Sequence, residues 1–412
     1  MDSSRDKEVE EGEESRSPFG GRTLLPVPQF SRADFSVWTL LKQFIGKDLT
    51  KMTVPVMFSE PLSFIQRLCE YMEYSYLLDQ AALCDDEMER MLLVAAFVVS
   101  ATASHVDRSG KPFNPLLGET FEFSQPQLNY RMVCEQVSHH PPISAYDAAS
   151  DLWHFYGSMR PKIKCWGNSL EVVPHATATL QLKPFEETYT WTTLNAHINN
   201  ILIGKMWIEQ YGTVVITNRS NGLSVTLNYL QSNRTNKELH KVNGFLLDPN
   251  GKKVKALLGK WTESLWCCHI PTYQRLLKDS SICPHSLSQC QLLWQHNPRP
   301  PYASQYFGFT LLAMAMNELN EDLHKNLPPT DSRFRPDIRA LENGNLEKAA
   351  LQKDRLEDKQ REMMKRLSRS KSDGAWEALW FKLDKDEMTG TEEWLFTEDY
   401  WKGDWSACPN IY

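Results

Sequence analysis

Residues 130–159 read YRMVCEQVSHHPPISAYDAASDLWHFYGSM, and this stretch decides the fold. The runs at 130–137 and 153–159 are rich in β-branched and aromatic residues, which is typical of strands. Between them, His139 and His140 precede two prolines. Adjacent side chains of a regular strand point to opposite faces. A His-Pro junction, however, favours extended or turn geometry and stops strand pairing. We therefore expect both imidazoles to face one opening.

Further runs of the same kind lie on both sides of this stretch. They are ETFEFS, ATATLQL, YTWTTL, TVVITN, LSVTLNYL, VNGFLL and KVKALLGKW, between residues 119 and 261. Turn signals separate them, such as Asn221–Gly222 and the Asp-Pro-Asn-Gly of 248–251. About 150 residues of regularly spaced strands without a long helix predict an antiparallel barrel or sandwich. A barrel of this size has room for a ligand.

Helical patterns flank the strands. Apolar residues recur at helical spacing over 62–104, in FGFTLLAMAMNELN at 307–320, and along a long charged segment from Asn345 to about Ser370. The region after it carries five Trp within 30 residues. We interpret these Trp as aromatics that pack a tail onto the body.

The N-terminal region divides into two parts. Residues 1–27 are acidic, contain Ser and Gly and lack apolar periodicity, so they predict a disordered tail. The amphipathic stretch that follows spans 28–58, and its large apolar residues are Phe35, Trp38, Leu41, Leu49 and Met52. Two interpretations remain open for it: a core element, or a mobile flap that covers an apolar ligand or touches a bilayer.

Composition narrows the function classes. A formal net charge of −7 over 412 residues argues against a protein that wraps nucleic acid. No apolar run reaches the ~18 residues that a membrane-spanning helix needs, and the first residues resemble neither a secretory signal nor a transit peptide. The nine Cys include no Cys-x-x-Cys pattern. We expect a cytoplasmic protein with no cofactor and no metal.

Two patterns offer candidate binding residues. In GKPFNPLLGET at 110–120, Lys111 and Asn114 flank a Pro-stiffened turn. Together with His139 and His140 they provide hydrogen-bond donors, without matching carboxylates close in sequence, which suits an anion site; a satisfied polar turn is the alternative.

The second pattern is a helical stripe. Lys353, Glu357 and Arg361 are spaced i, i+4 and i+8, about 12 Å from end to end along one face of the long helix. From the residues alone, a solvated face with weak salt bridges is the favoured interpretation.

Enzymatic motifs are missing. The sequence contains no Gly-x-Ser-x-Gly, no Gly-x-Gly-x-x-Gly, no Walker A and no His-Glu-x-x-His pattern. Ser138 precedes His139, but neighbours in sequence rarely form a triad, and no orienting carboxylate is placed beside them. We therefore expect a protein that is not an enzyme.

Several blocks of the sequence resemble one protein family. EQVSHHPPISA at 135–145 resembles the signature of the oxysterol-binding protein-related family. Supporting blocks are GKPFNPLLGET, RPKIKCWG at 160–167, GKMWIEQYG at 204–212, GKWTE at 259–263 and RPDIRALENG at 335–344. The likeness is to short, sterol-handling members without a pleckstrin-homology domain.

The resemblance implies an α+β fold: an incomplete antiparallel β-barrel around an apolar lipid tunnel. It implies a lid at 28–58, helices at 59–108, the barrel at 109–297 and a C-terminal helical region at 298–412. The lid residues Phe35, Trp38, Leu41, Leu49 and Met52 would contact the sterol. Headgroup contacts would come from Lys111, Asn114, His139, His140, Lys353, Glu357 and Arg361.

The implied function is lipid transfer. One tunnel would bind a sterol or a phosphoinositide and exchange them between membranes, with peripheral contact to intracellular or plasma membranes. Two alternatives stay open: a lipid-regulated sensor or scaffold, and a phosphatidylserine–phosphoinositide exchanger. The acidic run near Glu10 lacks the two-phenylalanine core of the family's endoplasmic-reticulum receptor motif, so protein partners at contact sites stay unidentified.

Overall fold

A computed structural model gives the architecture of the chain. It describes residues 17–30, 55–125, 127–166, 168–200, 206–232, 238–279, 283–369 and 376–412, with backbone only for residues 165 and 166. The predicted lid residues Phe35, Trp38, Leu41, Leu49 and Met52 lie outside these ranges.

Short helices precede the main sheet. Strand β1 (Ser59–Ser63) pairs in parallel with β2 (Lys111–Phe113). Between them lie α1 (Phe64–Cys69), α2 (Tyr76–Ala82) and α3 (Glu87–Ser100). Helix α3 begins where the Asp86 carboxylate accepts hydrogen bonds from the backbone N–H groups of Met88 and Glu89, both at 2.9 Å. The helical pattern predicted over 62–104 is thus confirmed, apart from the strand at its start.

One antiparallel sheet forms the centre of the fold. In the described residues it has 14 strands, with the outer order β16-β15-β14-β13-β12-β11-β10-β7-β6-β5-β4-β3 and with β8 and β9 bridging β6 to β11. The strands are β3 (Thr120–Ser124), β4 (Tyr130–His139), β5 (Pro142–Ser150), β6 (Trp153–Trp166), β7 (Ser169–His175), β8 (Thr177–Leu182), β9 (Glu187–Thr192), β10 (Asn195–Asn199), β11 (Trp207–Asn218), β12 (Ser224–Tyr229), β13 (Lys241–Leu247), β14 (Lys253–Lys260), β15 (Ser264–His269) and β16 (Cys290–Gln295). Helix α4 (Ile270–Lys278) connects the last two. The predicted antiparallel barrel region is confirmed as a large sheet that curls partly round.

The N-terminal helices pack against one face of this sheet. Trp153, Phe155 and Met159 of β6 are buried in the main core. The ring of Phe97 in α3 meets the ring of Phe155 edge-on, with centroids 5.4 Å apart. Burial of apolar surface between α3 and the sheet therefore holds the two layers together.

The predicted C-terminal helical region is only partly helical. Its helices are α5 (Leu311–Ala315), α6 (Glu321–Asn326), α7 (Pro336–Glu342) and α8 (Leu346–Arg369). The long helix is confirmed, but the candidate at 307–320 shrinks to the five residues of α5. Residues 381–396 form a hairpin of β17 (Phe381–Lys385) and β18 (Glu392–Phe396), so the prediction of helices throughout 298–412 is wrong there.

The Trp-rich tail packs on the outside of the sheet, as predicted. The Glu135 carboxylate of β4 accepts hydrogen bonds from the backbone N–H groups of Leu379 and Trp380, both at 2.9 Å. The buried residues of this contact are Trp380, Phe381 and Tyr400 from the tail and Val133, Val137 and Ala145 from β4 and β5.

Residues 17–27, which belong to the predicted disordered tail, instead pack on the body. Leu25 is buried in the main core. Arg22 pairs with Glu342 of α7, and its backbone N–H donates to Glu318 at 2.7 Å. Charge composition misled the prediction, because these few residues are held by partners about 300 positions away.

Arg335 joins the C-terminal part to the loop after β2. Its guanidinium donates to both carboxylate oxygens of Asp337, at 2.9 and 3.0 Å, to Glu119 Oε2 at 2.7 Å and to the backbone oxygen of Asn114 at 2.8 Å. All three charged side chains are buried.

Replacing Arg335 by Met should lower the free energy of unfolding by about 3–5 kcal/mol, because two buried carboxylates lose their partner. Lys382→Met removes a cation whose pair with Asp384 is largely exposed, so it should change stability by less than ~0.5 kcal/mol. Urea unfolding of both variants checks this, and equal midpoints for the two would contradict it.

Candidate functional site

The two histidines lie at the tip of a hairpin. Strand β4 ends at His139, which pairs with Pro142 at the start of β5. The imidazole centroids of His139 and His140 are 4.4 Å apart. The expected turn after β4 is present, and it brings the two rings into contact. Burial, together with the neighbouring His140, lowers the pKa of His139 to about 4, so this ring is neutral at pH 7.

Lys111 and Asn114 contact each other directly. The Lys111 ammonium donates to Asn114 Oδ1 at 2.8 Å and to the backbone oxygen of Pro112 at 3.2 Å. Burial, together with the positive charges of Lys353 and Arg335, lowers the pKa of Lys111 to about 8. Excess positive charge in a half-enclosed space favours an anionic ligand.

The residues of the predicted stripe on α8 differ in their exposure to solvent. Lys353 is nearly enclosed, with 11% of its side chain exposed, and its ammonium contacts Glu357 Oε1 at 2.6 Å. Arg361 is 58% exposed and pairs with Asp358 Oδ1 at 2.5 Å and, at 4.0 Å, with Glu357 Oε2. The solvated-face interpretation therefore fits Arg361 but is wrong for Lys353.

The loop after β2 holds α8 against the hairpin. The backbone N–H of Leu117 donates to Gln360 Oε1 at 3.0 Å, and the backbone N–H of Gly118 donates to the oxygen of Gln136 at 3.0 Å. Position 361 therefore lies next to a loop that is bonded to β4 just before the histidines. Within the described ranges, no hydrogen bond joins the histidines to Lys111 or Arg361.

An apolar surface continues from the core past the histidine hairpin. Alternate residues of β6 face the core, and this row extends to Ile163, which is 49% exposed. Ile163 pairs with Val172, which pairs with Ala196; one row further, Leu170, Ile198 and Ile208 are aligned. The residues of this apolar wall are Ile163, Leu170, Val172, Ala196, Ile198 and Ile208.

The wall continues along the sheet beyond the histidine hairpin. Ser144 of β5 pairs with Met159 of β6, so β6 runs on beyond the hairpin tip that carries the histidines. The residues of this wall were not predicted from the sequence, although the alternation in RPKIKCWG was a usable signal. The arrangement suits an amphipathic ligand with an acidic head and an apolar body.

No helix in the described part of the chain is long and apolar enough to cross a bilayer. A group of three or more His, Cys, Asp or Glu side chains that could hold a metal is also absent from those residues.

Comparisons with known proteins agree on one family. A family model described as oxysterol-binding protein matches residues 36–405. Human oxysterol-binding protein-related protein 1 is 45% identical over 419 residues, which cover 95% of this chain and 44% of the relative. Mouse oxysterol-binding protein-related protein 2 is 42% identical over 426 residues, which cover 95% of this chain and 88% of the relative. The chain thus spans about half the length of the first of these relatives.

Solved structures with the same fold contain two kinds of lipid. The Osh1 ORD domain in complex with cholesterol superposes with a TM-score of 0.83 and 34% identity, over 95% of this chain and 94% of the other. The Osh3 ORD of Saccharomyces cerevisiae in complex with PI(4)P gives a TM-score of 0.78 and 28% identity, over 95% and 99%.

Proposed function

The chain belongs to the oxysterol-binding protein family, and on that premise we propose that it carries one lipid at a time between membranes. The cargo is either a sterol or a phosphoinositide, and both use one tunnel walled by the main sheet. The protein works from the cytoplasm and touches membranes only peripherally.

The observation that carries this proposal is the apolar wall beside the anion-binding groups. A sterol needs the wall, and a phosphoinositide needs both the wall and the donors. Removing a sterol from a bilayer into water costs on the order of 20 kcal/mol at about 0.8 kcal/mol per CH₂ equivalent. A dry tunnel avoids most of that barrier.

The proposed headgroup site assigns a role to each residue. Lys111, Arg361 and the two histidines donate to phosphate oxygens, each such hydrogen bond contributing roughly 1.5–3 kcal/mol. Asn114 binds the Lys111 ammonium, and Glu357 orients Lys353 through their 2.6 Å contact. Since Glu357 is an acceptor, it suits an inositol hydroxyl rather than phosphate. The lid residues Phe35, Trp38, Leu41, Leu49 and Met52 remain proposed sterol contacts.

Occupancy of one tunnel by either lipid excludes the other. A phosphoinositide gradient between two membranes then drives the sterol against its own gradient. No catalytic role is proposed for Ser138, His139 or His140.

Transfer between two liposome populations tests the proposal. Fluorescent sterol should move faster when the acceptor vesicles contain phosphoinositide, and phosphoinositide should move the opposite way. Binding without net transfer would indicate a sensor or scaffold instead. Native mass spectrometry of the co-purified lipid distinguishes sterol from phosphatidylserine as the second cargo.

Replacing both His139 and His140 by Ala should weaken phosphoinositide extraction at least about tenfold, since donors to phosphate are lost. Sterol extraction should change less than about threefold, because a sterol has no phosphate. His269→Ala, at an exposed site on β15, is the control. An equal loss for both lipids would make the pair structural.

Phosphoinositide affinity should fall as the pH rises through about 8, the value to which burial lowers the pKa of Lys111. The charged amine binds phosphate and the neutral amine does not, so the loss between pH 7 and pH 9.5 approaches about thirtyfold. The lipid phosphate titrates near pH 6 and the pKa of His139 is about 4, so neither group accounts for a change above pH 7. Vesicle flotation across this range measures the effect.

Lys111→Met should abolish that pH dependence, whereas Lys382→Met, at an exposed lysine, should leave it intact. An unchanged pH profile in Lys111→Met would contradict the assignment.

Arg361→Glu should reduce phosphoinositide affinity about tenfold, because it places an anion beside the bound phosphate; its 58% exposure limits the effect. Sterol affinity should stay within about threefold. Arg366→Glu makes the same charge change further along α8 at a more exposed residue and is the matched control. Similar affinities for both variants would remove Arg361 from the site.

A further inference from the structure

Arg67 of α1 is an enclosed cation with unused hydrogen-bonding capacity. Only 15% of its side chain is exposed, and its closest ionic contact is Nη2 to Glu60 Oε2 at 3.7 Å, too long for a hydrogen bond. Within the described residues, its Nε is buried and has no hydrogen-bond partner. A guanidinium has five donors and no acceptor, so its isolation in the interior is costly.

The acidic neighbours of Arg67 already have another partner. Arg108 donates to Glu60 at 2.7 and 3.1 Å and to Glu70 Oε2 at 2.5 Å. Glu70 retains one oxygen, Oε1, without a hydrogen bond in the described part of the chain, yet no contact within 4.0 Å joins it to Arg67. Arg108 therefore holds the two carboxylates in place, whereas the guanidinium of Arg67 still has donors that could bind a ligand.

The position of Arg67 links it to the headgroup site. Ser59 of β1 is in register with Lys111, and β1 leads directly into α1. Glu60, the ionic neighbour of Arg67, packs so tightly on Gly110 that a Cβ there would lie 2.6 Å from Glu60 Cβ. The charge of Arg67 also contributes to the lowered pKa of Lys111.

The groups on the other side of Arg67 offer no counter-charge. Tyr71 follows one helical turn later, and its ring centroid lies 5.9 Å from that of His105. Burial and nearby arginines hold the pKa of His105 well below its ordinary value, and burial raises the pKa of Tyr71 to about 12, so both are neutral at pH 7. In the described part of the chain, the closest anion to Arg67 is therefore Glu60, which already accepts two hydrogen bonds from Arg108.

We propose that Arg67 forms an inner anion subsite of the tunnel, which binds the phosphodiester of a glycerophospholipid cargo. The inference rests on the proposed function and deepens it. Lys111 and the α8 residues hold the inositol ring and its outer phosphate near the mouth, and Arg67 meets the phosphate that joins the ring to glycerol.

A phosphodiester fits Arg67 better than a sterol hydroxyl does. It supplies acceptor oxygens and one negative charge, which match the guanidinium in geometry and in charge. A hydroxyl is neutral and offers a single acceptor oxygen, so most of the guanidinium donors would stay unsatisfied. Arg67 thus favours phospholipid over sterol, which makes it a specificity-determining residue.

The test compares Arg67→Met with Arg108→Met in the full chain. Arg67→Met should leave the melting temperature of the lipid-free protein unchanged or raised, because an unsatisfied buried charge is removed. It should weaken extraction of phosphoinositide and of phosphatidylserine at least about tenfold and change sterol extraction less than about twofold. Arg108→Met should lower the melting temperature and impair every lipid.

A further variant and a soluble ligand separate the contributions of charge, hydrogen bonding and acyl chains. Arg67→Lys keeps the charge but has fewer donors, so its phospholipid extraction should lie between that of the wild type and that of Arg67→Met. If Arg67→Met does not fold, Arg67→Lys replaces it in the comparison. Soluble inositol 1,4-bisphosphate carries both phosphates without acyl chains. If Arg67→Met weakens its binding as well, the subsite recognises the phosphate itself.

The inference is overturned if Arg67→Met lowers the melting temperature as much as Arg108→Met does, which would make Arg67 a partner of Glu70. It is also overturned if Arg67→Met extracts phospholipid like the wild type, or loses sterol and phospholipid equally. A wild-type protein that extracts no glycerophospholipid would overturn the proposed function as well.

Discussion

The buried contact of Arg335 with Glu119, Asp337 and the Asn114 backbone is the constraint on which the site depends. It fixes the loop after β2 to the start of α7, and α7 leads into α8. Lys111 and Lys353 come from segments more than 200 residues apart, yet both are positioned by this one guanidinium. Its charge needs two carboxylates and a carbonyl in the interior, so the two segments have little freedom to separate.

The site combines two surfaces with opposite demands. The apolar wall is stabilised when water is excluded from it. The charges of Lys111, Lys353 and Arg67 are destabilised by the same loss of water. A lipid with an acidic head satisfies both at once, and a sterol satisfies only the first. Under the proposed function, a phosphoinositide therefore offsets an electrostatic cost that a sterol leaves in place.

Local patterns predicted much of the fold. Each of the nine strand segments named from sequence, such as 130–137, overlaps a strand, because the alternating side chains face a core on one side. Strands β7 and β10 escaped notice, since their residues are half-buried on both faces and give weaker alternation. The stripe on α8 was visible from helical spacing, but only tertiary contacts make Lys353 enclosed and Arg361 exposed. Arg67 gave no signal, because its lack of partners is a property of the folded interior.

The tail contact has a consequence for biosynthesis. Glu135 receives its hydrogen bonds from residues 244 and 245 positions later in the chain. Ribosomes add about 5–20 residues per second, so the apolar outer face of β4 and β5 stays uncovered for on the order of 10–50 s after it emerges. During that time the nascent sheet presents Val133, Val137 and Ala145 without their aromatic cover. We therefore expect the protein to need chaperones most during translation, before the tail covers this face of the sheet.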